Sequence, residues 1–306
     1  MIFKRTKVVI LFSTLLLYAF PCAQAAQVIT ISQNQIPVPI FGSPSKSAKI
    51  PTRIVSLANG GAEVLVSLGL KSHLVGRDIA SSFTGDTNIP IVTQAHALSA
   101  EKVLAVHPTL VLINPSTGPT SALKQISAAG IKIAVIPEVY SLTGMRTKYL
   151  SILKAISLNA EDPVALKLLG SIPVISHAVT GQTGIAFLYL RGTSGIYLLG
   201  GKGSGADALI QIAGGIDVGA TKDSNPFMPL TPEALVSINP SILLVMQKGL
   251  ESVGGSKGLF ALAGVAQTPA GINQKVIAVD DSLLLAFGPR TQGLISKLTE
   301  AIGSLK

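Results

Sequence analysis

The chain has a single cysteine, Cys22, and it lies in the N-terminal leader. The remainder can therefore form neither an internal disulfide nor a thiolate metal site. Tryptophan is absent, and charged residues make up only 13% of the 306. No Lys/Arg block marks a nucleic-acid-binding stripe. Beyond the leader no uninterrupted apolar run is long enough to cross a bilayer. Catalytic signatures are missing too: there is no His-Glu-x-x-His or His-x-x-x-His metal spacing and no serine nucleophile elbow. Gly200-Gly201-Lys202-Gly203-Ser204 faintly echoes a phosphate loop, but the required upstream glycine is absent.

The leader is informative. Lys4, Arg5 and Lys7 precede an apolar run over 8–19, and Ala23-Gln24-Ala25 supplies a small-x-small cleavage site. This predicts an exported protein with a signal peptide over 1–25. Acylation at Cys22 is the alternative, although Phe20-Pro21 before it departs from the small residues a lipoprotein signal uses. Without the leader's three basic residues the net charge falls from +9 to +6.

The residues at 98–112 and 230–244 align without a gap, 132 positions apart. Each copy predicts an N-capped short helix, a Pro turn and an apolar strand. Ser99 and Thr231 are the caps, and Glu101 and Glu233 sit in the first turn, where the helix dipole favours a carboxylate. Two copies are too few for a solenoid and imply two similar lobes with a cleft between them. Around them, short β-branched runs alternate with helical stretches, which predicts parallel sheets covered on both faces. We expect an extended segment over 26–49, an N-terminal α/β lobe over 50–141 and a C-terminal α/β lobe over 182–306. A helical connector over 142–181 should join them as one long helix or as two broken near Asp162-Pro163, with a kink at Pro173. Such a connector is stiff and permits only small closing motions.

In open α/β sheets ligands bind beyond the carboxyl ends of the strands. The expected ends are 58–61, 115–120, 200–204 and 249–255. His73, His107 and His177 stand in turn or helix contexts without a partner pattern and are expected to be solvated. His107 aligns with Asn239 of the second copy, which favours a loop role.

The leader, the two Rossmann-like lobes, the connector and the paired Glu-bearing helices resemble the substrate-binding proteins of ABC importers for iron chelates, cobalamin and haem. The local text Leu74-Val75-Gly76-Arg77-Asp78, His96-Ala97-Leu98-Ser99-Ala100-Glu101, Leu190-Arg191-Gly192, Gly200-Gly201-Lys202-Gly203-Ser204-Gly205-Ala206-Asp207 and Phe287-Gly288-Pro289-Arg290-Thr291 is similar to the haemin-binding subgroup. The resemblance implies a non-enzymatic, monomeric binding protein at the extracytoplasmic face, handing haem to a permease dimer with its ATPase. It implies His96 as an axial iron ligand, with Met228 or Tyr140 as further candidates, since Phe83 and Phe227 stand where relatives carry tyrosine. Those two Phe would stack on the macrocycle, Arg77, Arg290 and Lys202 would meet the propionates, and Glu101 and Glu233 would dock the permease. A ferric siderophore or corrinoid is the alternative ligand, and a secreted α/β enzyme the alternative class.

Overall fold

A computed structural model of the chain describes residues 26–94, 97–174, 182–221 and 225–306. The chain enters through β1 (Gln27–Ile31). The first lobe runs through β2 (Ile54–Ser56), α1 (Gly61–Ser67), β3 (Leu74–Arg77), the two-residue strands β4 (Thr93–Gln94) and β5 (Ala97–Leu98), α2 (Ala100–Ala105), β6 (Leu110–Ile113), α3 (Thr120–Ala128) and β7 (Lys132–Val135). Then come α4 (Leu142–Ala155) and α5 (Pro163–Gly170). The second lobe begins with β8 (Gly184–Arg191), β9 (Ile196–Gly200), α6 (Ala206–Ile212), β10 (Ile216–Asp217), β11 (Phe227–Pro229) and α7 (Pro232–Ile238). It ends with β12 (Ile242–Met246), α8 (Gln247–Ser252), α9 (Gly255–Ala261), α10 (Pro269–Ile272), β13 (Lys275–Val279), α11 (Asp281–Leu284) and α12 (Thr291–Ser304).

The first sheet is parallel, in the order β3-β2-β6-β7. The second has the order β1-β13-β12-β8-β9-β11, with β10 beside the start of β8. Its central strand β12, Ile-Leu-Leu-Val-Met, is buried throughout, as a parallel strand covered on both faces must be. Two features depart from the sequence reading. The expected extended segment over 26–49 supplies a sheet strand: β1 pairs in parallel with β13 and forms an edge of the second sheet. And β9 runs antiparallel to β8 across the short connection Gly192–Ser194, so the second sheet is not uniformly parallel.

The repeat survives in three dimensions. Ser99 accepts from the Lys102 amide at 3.3 Å and Thr231 from the Ala234 amide at 3.1 Å, each capping its helix, with Pro232 in the first turn of α7. His107 and Asn239 occupy the same left-handed turn, with φ of 44° and 49°. The His107 carbonyl accepts from Arg53 Nε at 2.8 Å, so this histidine serves the chain through its backbone. His73 Nδ1 lies 2.9 Å from the Pro51 carbonyl.

Between the lobes, 142–170 forms two helices rather than one. Asp162 caps α5 by accepting from the Val164 amide at 3.1 Å, and Pro163 opens the helix where its missing N–H costs nothing. Residues 175–181 of the expected connector, including His177, lie outside the described residues, as do the leader and Cys22. Ile152, Leu153 and Ile156 of the connector belong to one apolar cluster with Ile54 and Leu112 of the first lobe and Phe187 and Ile277 of the second. Close-packed interiors resist shear, so this shared core ties the lobes together.

Candidate functional site

Where the carboxyl ends of the two sheets face each other lies a cleft of about 500 Å³. From the first lobe it is lined by residues that follow strand ends: Leu57 and Asn59 after β2, Asp78 after β3, Asn114 after β6 and Glu138 after β7. The second lobe contributes Tyr189 and Arg191 from the end of β8, Met246 from β12, Lys248 from α8, and Asp280 and Asp281 after β13. The expected loops at 200–204 and 249–255 are not part of the lining. The reversal of β9 explains the first: Gly200 pairs beside the middle of the sheet, away from the end where β8 opens into the cleft.

The cleft floor is a set of hydrogen bonds within the first lobe and from it to α4 and the second lobe. The Asn59 amide donates to Asn114 Oδ1 (2.7 Å), and Asn59 Nδ2 donates to the Leu285 carbonyl (3.0 Å). Lys148, on α4 and only 1% exposed, donates from Nζ to the Asn59 carbonyl (2.9 Å) and the Ala286 carbonyl (2.7 Å). Burial lowers its pKa to about 8, against the opposing pull of Glu63 and Glu138. Gly60 is required here: its φ is 72°, and a Cβ would stand 2.7 Å from the Ala286 carbonyl oxygen.

Beneath the floor, Arg290 and Glu63 form an ion pair at 2.5 Å, each side chain 2% exposed. The same guanidinium nitrogen donates to the Ser82 carbonyl (2.8 Å) and faces Ser282 Oγ at 3.2 Å. Desolvation raises the Glu63 pKa even though Arg290 and Lys148 favour its charged form. Arg290 is thus a joint between lobes, committed to a buried partner, and is not available to a propionate. Arg77 is likewise withdrawn, paired with Asp86 at 2.9 Å and 6% exposed. Lys202 is exposed in the turn after β9 and does not line the cleft.

The aromatic expectations divide. Phe83 is 2% exposed within the shared core, so it has no face to offer a ligand. Phe227 is partly exposed and packs edge-on against Tyr189, ring centroids 5.7 Å apart. Phe187 and Tyr189, two apart on β8, share one sheet face, and Phe227 contacts both. Met228, next along β11, therefore points the other way and packs on the second lobe's outer cluster with Leu188 and Leu199. That places its thioether on the face of the sheet opposite Tyr189 and Phe227. Tyr140 is 42% exposed and does not line the cleft; burial and then the Glu138 charge raise its pKa, which disfavours a phenolate. His96 lies outside the described residues; its neighbours Thr93 and Leu98 line the cleft.

Tyr189 and Arg191 are what the sequence reading missed. Both line the cleft, and the Arg191 guanidinium carbon sits 4.6 Å from the centre of the tyrosine ring. Asp281 fixes the arginine at 3.1 Å. A signal was present: a Tyr and an Arg two apart at the carboxyl end of an expected strand share the face that opens on the ligand. Glu101 and Glu233 are exposed in the first turns of α2 and α7, and Glu101 follows the cleft-lining Leu98 by three positions. Among the described residues no three His, Cys, Asp or Glu could hold a free metal ion. Gly254-Gly255-Ser256-Lys257-Gly258 has the literal spacing of a nucleophile elbow, but it joins α8 to α9 instead of a strand to a helix, and Ser256 is outside the cleft.

The periplasmic binding protein family model matches residues 54–283. The chain belongs to that family. It is therefore a substrate-binding protein and not an enzyme, of a class that works outside the cytoplasm. Among solved structures it is similar to the apo form of RhuT from Roseiflexus sp. RS-1, a periplasmic haem-binding protein, with 34% identity, TM-score 0.74, and coverage of 83% of this chain and 99% of that one. It is also similar to the haem-binding protein HmuT, with 29% identity, TM-score 0.78, and coverage of 90% and 97%. Alanine variants of HmuT at a tyrosine and at the arginine two residues beyond it give TM-scores of 0.79 each. A vitamin B12-binding protein of Vibrio parahaemolyticus is 21% identical over 276 residues, 88% of this chain and 96% of that one.

Proposed function

We propose that this protein captures haem in the inter-lobe cleft and delivers it to an ABC permease dimer driven by a cytoplasmic ATPase. The observation that carries the reading is Tyr189, a cleft-lining phenol packed edge-on against Phe227 at the carboxyl end of β8, with Arg191 on its ring. Tyrosine is an established donor to haem iron, and Tyr189-Leu190-Arg191 reproduces the tyrosine–arginine spacing of the HmuT variants. Haem is the cargo here and not a catalytic group. His96 is the candidate for the opposite face of the iron, supported by the cleft position of Thr93 and Leu98 on either side of it. Phe227 is the remaining aromatic candidate for contact with the macrocycle.

Docking would use Glu101 and Glu233. Two equivalent carboxylates suit a dimeric permease that presents one basic site twice. Their helices repeat the same text and cap geometry, which supports a matched pair of contacts. Export would follow cleavage after Ala25, with lipidation of Cys22 as the other route, and the protein would act as a monomer. The corrinoid reading is kept alive by the vitamin B12-binding relative.

The test of the site is the ferric absorption spectrum of the haemin complex in Tyr189→Phe and Met228→Ala. Replacing Tyr189 should shift the Soret band and accelerate haem loss, whereas Met228→Ala should leave the spectrum unchanged. An unaltered spectrum in Tyr189→Phe removes that residue from the iron.

A further inference from the structure

The charged side chains lining the cleft are four carboxylates and two cations, and all but one already have partners. Asp78 accepts from the Ala80 and Ser81 amides at 3.2 Å each. Glu138 accepts from the Ser116 hydroxyl. Asp280 accepts from the Ser282 amide at 2.9 Å and its hydroxyl at 2.7 Å. Asp281 holds Arg191 at 3.1 Å through one oxygen and the Lys248 backbone amide at 2.9 Å through the other. Of these six side chains, the Lys248 ammonium alone has neither a hydrogen bond nor an ion pair to the described residues. We infer that Lys248 is the cation that receives a carboxylate side arm of the ligand.

Three features distinguish this lysine from a solvated surface charge. It stands two residues after β12, at the strand end where α/β sheets hold ligands, and Met246 at that end also lines the cleft. It lies in the first turn of α8, where the helix dipole disfavours a cation, so helix stability does not explain its presence. And its backbone is held by the same carboxylate that holds Arg191, which brings the two cations side by side on the second-lobe wall. An anionic ligand entering a cleft with four carboxylates must find a donor that is not already engaged, because a buried unpaired anion is costly. Lys248 is that donor.

The inference rests on the haem reading, with a propionate as the side arm, and its test separates the two. Affinities for haemin and for haem dimethyl ester, whose propionates are uncharged, are measured in wild type, Lys248→Met and Lys248→Arg. Wild type should prefer haemin by about tenfold, the low end for a hydrogen bond to a charged group because the ammonium is in contact with water. Lys248→Met should lower haemin binding to the level of the ester and leave the ester unaffected, and Lys248→Arg should keep the preference. Equal weakening of both porphyrins in Lys248→Met, or undiminished haemin binding, overturns the role of Lys248 while leaving haem as the ligand. If wild type binds neither porphyrin, the haem reading falls and this inference falls with it.

Discussion

Replacing Arg290 with methionine tests the lobe joint. The substitution keeps an apolar stem but removes the charge that faces Glu63 at 2.5 Å, along with the donor to Ser82 at the first lobe and to Ser282 at the second. Breaking one partner of a buried pair leaves an uncompensated charge and costs about 3–5 kcal/mol. The cost should depend on pH, with a sign that follows from Glu63. Desolvation already raises its folded pKa above 4.5, and Arg290 is the strongest opposing influence. Without Arg290 the folded value rises further. From pH 4.5 upward the folded variant then holds a proton that the unfolded chain has released, so its stability falls as pH rises through that window. Urea unfolding of wild type and Arg290→Met at pH 5 and pH 8 should show a smaller deficit at pH 5. Adding Glu63→Gln to the variant should return about 2 kcal/mol at pH 8. A deficit that is the same at both pH values, or no recovery in the double variant, would refute the argument that an unpaired carboxylate is the cause.

Lys148 makes the opposite pH signature. Its folded pKa of about 8 is below the ordinary 10.5, so between these values the unfolded chain binds more protons and stability rises with pH, by up to about 3 kcal/mol. Urea unfolding of wild type and Lys148→Met from pH 7 to pH 10 should show that rise only in wild type; parallel curves would contradict it. Glu101→Arg combined with Glu233→Arg should abolish permease-dependent haem uptake by charge repulsion while haemin titration of the purified protein stays unchanged. Loss of haemin binding in parallel would show that the two carboxylates do something else.

The alternation of β-branched runs and helical stretches was enough to read two α/β lobes, because a parallel sheet covered by helices imposes that rhythm. The repeat even carried its caps and its left-handed turn residues, His107 and Asn239, into the structure. Strand direction was harder. Apolar runs look alike in both directions, although the short link from Arg191 to Ile196 carried a hairpin signal that reverses β9. The pairing of β1 with the last strand of the sheet links positions about 250 residues apart, which no local pattern records. The same limit governs the site. Arg77 and Arg290 look like free cations in sequence, and only tertiary packing reveals Asp86 and Glu63 against them. Tyr189 was hidden because β8 reads as core; near its end Tyr189 and Arg191 line the cleft while Leu190 between them stays buried.

The central claim is that the cleft takes one haem. The most direct measurement is an absorption titration of the purified mature protein with haemin, run beside cobalamin and a ferric siderophore. The account predicts a Soret shift that saturates at one equivalent of haemin, with no comparable binding of the other two. No spectral change with haemin, together with saturable binding of cobalamin or the siderophore, would contradict it.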